Sequence, residues 1–97
     1  MTNQLIDNEE LKRYDMPVEG GTPFIEYIKA QNYVCLNHTE VPKALEGQGL
    51  GSAIIKLALE TIKQEGKKIL PMCPFVRTYI QRHPEWDELV MPGVKFK

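Results

Sequence analysis

The stretch from Leu50 to Ile62 constrains the fold of this chain most, because its apolar residues follow the spacing of an amphipathic helix. They recur at i, i+3, i+4 and i+7, in the order Leu50, Ala53, Ile54, Leu57, Ala58 and Ile62. The opposite side carries polar side chains, namely Lys56, Glu60, Lys63 and Gln64. Gly66 is of the residue type that commonly ends a helix. The pattern predicts one long helix whose apolar face must be buried against other elements.

The residues before this helix have the composition of strands. Three extended segments are predicted, at Leu11–Val18, Thr22–Ala30 and Tyr33–Thr39, separated by the turn signals "EGG" and "QN". The second segment contains "FIEYI", and aromatic and β-branched residues are enriched in strands. Proline cannot donate to a strand ladder, so Pro42 ends the third segment. The sequence therefore predicts an antiparallel meander.

A further strand and a second helix are predicted after the long helix. The strand covers Lys68–Met72, and Pro74 stands where a first-turn proline belongs. The second helix has its apolar positions at Phe75, Val76, Tyr79 and Ile80. It is expected to end near His83, before Pro84. The tail, Glu85–Lys97, carries a Trp and a Leu-Val pair that we expect to pack on the body of the protein.

The predicted order of elements is β-β-β-α-β-α. Three antiparallel strands followed by a helical crossover to a fourth strand give a mixed sheet with helices covering its faces. The 97 residues fit one domain, taken as residues 1–97. The chain is therefore predicted to have an α/β fold, of the α+β kind with a mixed sheet.

The composition excludes several classes of partner. Of the residues, 42% are hydrophobic and 26% are charged, as in ordinary folded proteins. The formal net charge is −1 and the basic residues are scattered, so no nucleic acid or acidic membrane surface is expected as a partner. The first residues carry no apolar core of signal-peptide length, and no stretch is apolar enough to span a membrane. We expect a cytoplasmic protein whose two cysteines are reduced. The oligomeric state is not predicted.

Three alternating glycines mark the point where the long helix begins. Gly47, Gly49 and Gly51 lie in "VPKALEGQGLGSAI". Glycine lets the backbone approach a ligand closely, and the first helical turn offers unpaired N–H groups at the positive end of the helix dipole. This combination favours phosphate binding. A dinucleotide-binding fingerprint would need glycine where Ser52 stands, and the Gly-Lys-Ser/Thr of a P-loop is absent, so both nucleotide motifs fail. A loop that serves only as a turn is the alternative.

The segment "EGQGLG", placed between a strand and an amphipathic helix, resembles motif A of the GNAT superfamily of CoA-dependent N-acyltransferases. That motif reads Gln/Arg-x-x-Gly-x-Gly/Ala. Gly49 and Gly51 match its small positions, whereas Glu46 stands where Gln or Arg is usual. The longer pattern "HTEVPKALEGQGLGSAI…LPMCPFVRTYIQRHPEW" is similar to small single-domain members with a cysteine after the later strand. The resemblance covers roughly Phe24 to Trp86 and implies a minimal GNAT fold.

The resemblance also implies acetyl-CoA as co-substrate, with its pyrophosphate held by backbone amides of the glycine loop. Mapped onto this sequence, the cofactor-binding residues are Thr39, Val41, Gly47, Gln48, Gly49, Leu50, Gly51, Ser52, Cys73, Pro74 and Phe75. In this family the pantetheine arm lies where two parallel strands splay apart, so Val41 would be its backbone partner. No metal is implied, and the two cysteines and two histidines do not show metal-ligand spacing.

Cys73 lies at the junction of the later strand and the second helix, and the resemblance aims this junction at the thioester. Three roles remain open for it. The thiol could take the acetyl group as a nucleophile, since a helix N-terminus favours the thiolate. It could line the acyl site without covalent chemistry, or it could be a small buried residue. Cys35, inside a predicted strand, is interpreted as structural.

Acyl transfer to an amine also needs a proton acceptor. His38, Glu40 and Glu26 are the candidate bases, each with a simple structural or solvent-facing role as the alternative. The resemblance implies that His38 and Cys73 share a neighbourhood. Many family members have a Tyr on the following helix that protonates the departing thiolate. Tyr79 is close to that spacing, although a core role is the alternative.

These observations together predict an acetyl-CoA-dependent N-acetyltransferase whose partners are CoA and a small-molecule or peptide amine. Larger family members have extra helices near the N-terminus that help to form the acceptor pocket, and this chain has no room for them. A CoA-binding regulatory module without turnover is therefore the alternative.

Overall fold

The computed structural model of the protein describes residues 3–94. In chain order its elements are β1 (Ile6–Asn8), β2 (Arg13–Asp15), β3 (Phe24–Lys29), β4 (Tyr33–Glu40), α1 (Leu50–Gln64), β5 (Lys68–Pro71) and α2 (Pro74–Arg82). Short 3-10 helices follow β4 and α2, at Lys43–Leu45 and Pro84–Leu89. The predicted succession of strands, helix, strand and helix is confirmed, with one additional strand at the start.

That additional strand corrects the predicted segment Leu11–Val18. The backbone of Lys12 has a positive φ of 55°, so the chain reverses there instead of continuing as one strand. β1 and β2 form the two sides of this reversal, with Asp7 opposite Tyr14. After β2 the chain turns back on itself, with a bridge between Val18 and Gly21 and a hydrogen bond from the N–H of Met16 to Pro23 O. A short polar strand such as β1 has no apolar alternation, which is why the sequence pattern did not indicate it.

The sheet has five strands in the order β1-β2-β3-β4-β5. The first four pair antiparallel with their chain neighbours, whereas β5 pairs parallel to β4. Helix α1 makes the crossover that a parallel pair requires. Pairing between β4 and β5 stops where Leu36 lies opposite Pro71, although β4 continues to Glu40. The two parallel strands therefore part before β4 ends.

A β-bulge interrupts the pairing of β3 with β4. Glu26 lies opposite His38 and Tyr27 lies opposite Leu36, so Asn37 is an extra residue on β4. A bulge inserts one residue into one strand and shifts the alternation of side chains beyond it. Beyond this bulge Thr39 is buried, whereas His38 is exposed.

The core lies on one face of the sheet, between the sheet and both helices. The buried side chains of α1 are Ile54, Ile55, Ala58, Leu59 and Ile62. Three of them were predicted from the helical spacing, whereas Ile55 and Leu59 were not. The other predicted positions, Leu50, Ala53 and Leu57, are only partly buried against the core. Helix α2 adds Val76 and Ile80 to the same cluster. The sheet contributes alternate residues from its strands, which include Tyr14, Ile25, Tyr27, Val34, Leu36 and Ile69. Full burial of such a side chain contributes roughly 1.5–3 kcal/mol, so this cluster supplies most of the stabilisation.

The other face of the sheet is open among the described residues, which corrects the expectation that helices cover both faces. Ile28 is 58% exposed, and Glu26 and His38 on the same face are also exposed. Helix α1 lies in the crossover from β4 to β5 and α2 follows β5, and the apolar stripes of both helices belong to one core cluster. The open face therefore presents the ends of β3 and β4 to solvent.

The tail packs on the body as predicted, over the part that the structure describes. Trp86 packs against the core cluster and Leu89 is buried in it. Val90 forms a parallel bridge with Ile69, at the outer side of β5. The last three residues of the predicted tail, positions 95–97, lie outside the described residues.

Candidate functional site

The glycine loop has a backbone that residues with side chains rarely adopt. Gly47 has a φ of 84° and Gly49, the N-cap of α1, has a φ of 76°. A Cβ atom added at either position would meet no heavy atom within 4 Å. These glycines are therefore required by the backbone conformation, and space is left open in front of the loop. Gly51 differs, because a Cβ atom there would lie 3.7 Å from Val41 Cγ2.

Helix α1 presents its first turn to this open space. The N–H of Ala53 donates to the carbonyl of Gly49 at 3.1 Å and starts the helical ladder. The amides of the residues before Ala53 have no helical partner by geometry. No side chain caps this end and no acidic residue lies in its first turn. The end of the helix is thus locally electropositive and can accept an anion, with Glu46 the carboxylate nearest in sequence among the residues that line the space.

A cleft of about 710 Å³ opens between the end of β4 and the start of α1. The predicted cofactor-binding residues that line it are Thr39, Val41, Gly47, Gly49, Leu50, Gly51 and Phe75. Glu40 lines it as well, and Lys43 adds a cationic side chain. Most of the predicted coenzyme residues are thus brought together around one cleft.

A second cleft of about 490 Å³ adjoins the first and shares Gly49, Gly51 and Phe75 with it. Ser52 and Pro74, two of the predicted cofactor-binding residues, line this second cleft. Gln48 and Cys73, which were also predicted, line neither. The space around the start of α1 is therefore continuous from β4 to α2.

The divergence of β4 and β5 is fixed by one carbonyl group. Leu36 O accepts hydrogen bonds from the backbone N–H of Met72, at 3.1 Å, and of Cys73, at 2.9 Å. These two hydrogen bonds to one carbonyl oxygen turn the chain out of β5 and into α2. Arg77 holds the same corner, since its Nε donates to Pro71 O at 2.8 Å. The end of β4 consequently has no strand beside it on the β5 side.

Cys73 is the N-cap residue of α2, with Pro74 at the first helical position, as the sequence predicts. Its side chain is 1% exposed and belongs to the core cluster. The thiol donates to Thr39 Oγ1 at 3.3 Å, and Thr39 in turn lines the first cleft. The thiol therefore does not line the cleft itself and is linked to it by its hydrogen bond to Thr39.

The two predicted base candidates at the end of β4 form a pair on the open face. His38 Nε2 lies 3.4 Å from Glu40 Oε1, and both side chains are more than half exposed. The third candidate, Glu26, lies opposite His38 in the strand register. Phe24 lies edge-on to the His38 ring, with 6.3 Å between the ring centroids. Because Thr39 faces the core, His38 and Cys73 lie on opposite faces of β4.

Tyr79 lines the second cleft on α2 and does not reach the first. Its ring packs on His83, with 4.3 Å between the centroids, and burial raises the pKa of its hydroxyl. Arg82 and His83 line the same cleft. Sequence reasoning missed Arg82 as a site residue, although its position three residues after Tyr79 places both on one side of a helix.

Cys35 is remote from this chemistry, in agreement with its structural interpretation. It lies within β4 and lines neither cleft. Its thiol donates to Asn37 Oδ1 at 2.9 Å, and burial raises its pKa.

Residues 3–94 contain no group of three His, Cys, Asp or Glu side chains arranged to hold a metal ion. Nor do they include a helix with the length and apolar character needed to cross a membrane.

Known proteins share both the sequence pattern and the fold. The sequence model of a family described as GCN5-related N-acetyl-transferase matches residues 13–89. Protein NATD1 of Gallus gallus is 34% identical over 59 residues, which cover 61% of this chain and 53% of that protein. Protein NATD1 of Homo sapiens has the same identity over 59 residues and 51% of its length is covered. The chain thus spans about half the length of these curated relatives.

The same architecture occurs in a solved structure. The NMR solution structure of a GCN5-like protein from Staphylococcus aureus matches with a TM-score of 0.69, over 97% of this chain and 92% of that chain. The two sequences are 20% identical, so this likeness shows the fold alone.

Proposed function

Because the chain belongs to the GCN5-related N-acetyltransferase family, we propose that it binds acetyl-CoA at the start of α1 and transfers the acetyl group to an amine. The observation that carries this proposal is the first cleft, which joins the glycine loop and the free end of β4. One end of this cleft suits a phosphate group, and the other end suits an extended amide chain.

The pyrophosphate fits the electropositive end. The unpaired amides of the first turn of α1 point to one side, and the positive φ values of Gly47 and Gly49 keep side chains out of that space. Lys43 adds a positive charge to the cleft. Backbone amides and one lysine can therefore neutralise part of the charge of the diphosphate.

The pantetheine arm fits the strand end. β4 continues from Asn37 to Glu40 after its pairing with β5 has stopped. An extended arm with amide groups can pair with such an unaccompanied strand edge, in the manner of an added strand. With the arm bound in this way, Val41 would lie beside it and the thioester would point toward Thr39.

The amine would meet the thioester from the open face of the sheet. His38 and Glu40 lie there as a pair, and Glu40 also lines the first cleft. A base at this point can accept the proton that the amine loses as its nitrogen attacks the thioester carbonyl. The His38–Glu40 pair is therefore the proposed proton acceptor, with Glu26 opposite His38 in the register.

A second candidate function is binding of CoA without turnover. It is favoured by the open face of the sheet, since the described residues do not enclose an amine there. Such a module would use the same cleft and would need a partner to complete the acceptor site.

Two measurements test these functions in order. Calorimetry with acetyl-CoA, CoA and ATP should show micromolar binding of both CoA compounds and no comparable binding of ATP. Absence of acetyl-CoA binding at high micromolar concentration would reject both functions. A screen of small-molecule and peptide amines, read by the release of the CoA thiol, should then find an acetylated product. Tight binding without any product in that screen would leave the binding module as the function.

A further inference from the structure

Thr39 and Cys73 are paired in the wall of the first cleft. Both side chains are almost fully buried, with exposures of 5% for Thr39 and 1% for Cys73. Of these two residues only Thr39 lines the cleft, and the Cys73 thiol contacts the Thr39 hydroxyl at 3.3 Å. Of this pair, Thr39 rather than Cys73 therefore adjoins the cleft.

The hydrogen bonding of this pair leaves one proton available. A hydroxyl has one proton to donate and two lone pairs that accept. The Cys73 thiol donates to Thr39 Oγ1, so one lone pair is used and the hydroxyl proton is not. With the hydrogen bond in this direction, the Thr39 hydroxyl makes no further hydrogen bond among residues 3–94. Because buried donors are usually hydrogen-bonded, an acceptor on a ligand in the cleft would be a favourable partner for this proton.

We propose that Thr39 donates a hydrogen bond to the thioester of bound acetyl-CoA and that Cys73 is a positioning residue that holds the Thr39 hydroxyl. This inference rests on the proposed function of the cleft. Thr39, and not Cys73, is then the residue that contacts the thioester, and the Cys73 thiol forms no covalent bond to the acetyl group.

The role follows from where charge develops in the reaction. The amine nitrogen forms a bond to the thioester carbonyl carbon and loses its proton to the base, while negative charge grows on the carbonyl oxygen. The carbon–sulfur bond then breaks, and its electron pair leaves with the CoA sulfur. A hydroxyl fixed in the wall of the cleft stabilises this negative charge without reorganising. The departing thiolate takes its proton from solvent.

The backbone keeps the thiol from replacing the hydroxyl. The N–H of Cys73 donates to Leu36 O, and its carbonyl accepts from the N–H of Arg77, so the residue is held on both sides. Thr39 is likewise fixed in the sheet opposite Ile25. A nucleophilic thiol would have to leave the core cluster and displace Thr39 before it could reach the thioester.

Paired substitutions test the inference with a readout that separates chemistry from folding. Thr39→Val preserves shape and removes the hydroxyl, whereas Thr39→Ser keeps it. We expect Thr39→Val to lower kcat by about 100-fold, as the loss of one donor to a developing charge does. The Kd for acetyl-CoA should change by less than about threefold, because most binding contacts lie at the phosphate end. Thr39→Ser should restore kcat to within about fivefold of the wild-type value.

Cys73→Ala completes a double-mutant cycle. It should lower kcat several-fold when Thr39 is present and should have no effect in the Thr39→Val background, because the thiol acts only through the hydroxyl. Independent, additive losses would overturn the proposed coupling. A larger loss from Cys73→Ala than from Thr39→Val would overturn the assignment of the chemistry to Thr39.

A thiol-reactivity assay tests the same inference without any acceptor. In a Cys35→Ser background only Cys73 can react, and iodoacetamide should modify it slowly. Thr39→Ala should speed this modification at least tenfold, and acetyl-CoA should then protect the thiol. Mass spectrometry after mixing with acetyl-CoA should show no acetyl group on Cys73. An adduct that forms as fast as turnover would overturn the inference.

The two levels of the proposal fail differently. If acetyl-CoA does not bind the wild-type protein, the proposed function fails and the role of Thr39 fails with it. If acetyl-CoA binds and is turned over with equal kcat by the wild-type and Thr39→Val proteins, only the role of Thr39 is overturned.

Discussion

Gly49 and Gly66 lie at opposite ends of α1 with the same backbone φ of 76°. A Cβ atom added at either position would meet no heavy atom within 4 Å. The two glycines are thus matched in strain and in local space, and they differ in that only Gly49 lines the clefts. This pair separates the binding role of the loop from the conformational role of glycine.

Gly49→Val should abolish acetyl-CoA binding, whereas Gly66→Val should not. Each substitution forces a β-branched residue into the left-handed region and should lower the free energy of unfolding by about 1–2 kcal/mol. Only at Gly49 does the new side chain occupy the space proposed for the phosphates. Urea unfolding checks the first statement and calorimetry checks the second. Equal acetyl-CoA affinities in the two variants would refute the role of the loop.

Arg82→Gln should weaken the binding of CoA by about tenfold and leave the binding of dephospho-CoA almost unchanged. The second cleft adjoins the phosphate end of the first, and Arg82 brings a cation to it. A phosphate on the ribose of CoA would reach this side of α1. Lys67→Gln removes the same charge beyond the far end of α1 and serves as the control. A similar loss for both ligands would place the nucleotide elsewhere.

His38→Asn should lower kcat by about 100-fold and leave the Kd for acetyl-CoA unchanged, because a positioned base contributes to proton transfer and not to coenzyme binding. His83→Asn, the matched change at the other histidine, should instead alter coenzyme affinity, since His83 lines the second cleft. Steady-state kinetics with the acceptor from the screen gives both values. Unchanged turnover of His38→Asn would reject His38 as the base.

Tyr14→Phe should leave stability at neutral pH unchanged or raise it by up to about 1 kcal/mol. The Tyr14 hydroxyl is buried and has no hydrogen-bond partner among the described residues, so its removal breaks no bond. Tyr27→Phe is the contrast, because it removes a hydrogen bond from the Tyr27 hydroxyl to Asp7 and should be destabilising. Thermal unfolding at pH 7 ranks the two variants, and a less stable Tyr14→Phe protein would contradict this reading.

The same tyrosines set an alkaline limit on stability. Burial raises the pKa of Tyr14 and of Tyr27 above the value of about 10 for an unfolded chain. The folded state then holds these protons more tightly than the unfolded state. Their contribution to stability is fully present below about pH 10 and is lost as the pH rises through the folded-state pKa. Above pH 10 the free energy of unfolding should fall less steeply with pH in Tyr14→Phe than in the wild-type protein. An unchanged slope would contradict this role of Tyr14.

Sequence reasoning succeeded where a local signal decides the structure. The helical spacing of α1 predicted the helix and part of its buried face, but not Ile55 and Leu59. Pro74 predicted the start of α2, with Cys73 just before it. Gly47 and Gly49 predicted the loop, because a positive φ is favourable for glycine and can therefore be anticipated from the residue type alone. Each of these features depends on neighbours in the chain and needs no knowledge of distant contacts.

The orientation of the site residues depends on distant contacts and was not predictable in the same way. Cys73 turns into the core because Leu36 O binds its N–H and Thr39 receives its thiol. Both helices pack on one face of the sheet because their apolar stripes meet in one cluster, which neither helix determines alone. Burial of the thiol and openness of the second sheet face are therefore tertiary outcomes.

The extra residue at Asn37 has a consequence for relatives of this chain. By simple alternation from the buried Leu36, His38 would point into the core and Thr39 would point outward. The bulge exchanges them. A relative that lacks the extra residue would keep the imidazole on the open face and the hydroxyl toward the core, whereas a relative with the same number of residues and no bulge would exchange them. Gap placement in this strand thus determines which chemical groups an alignment treats as equivalent.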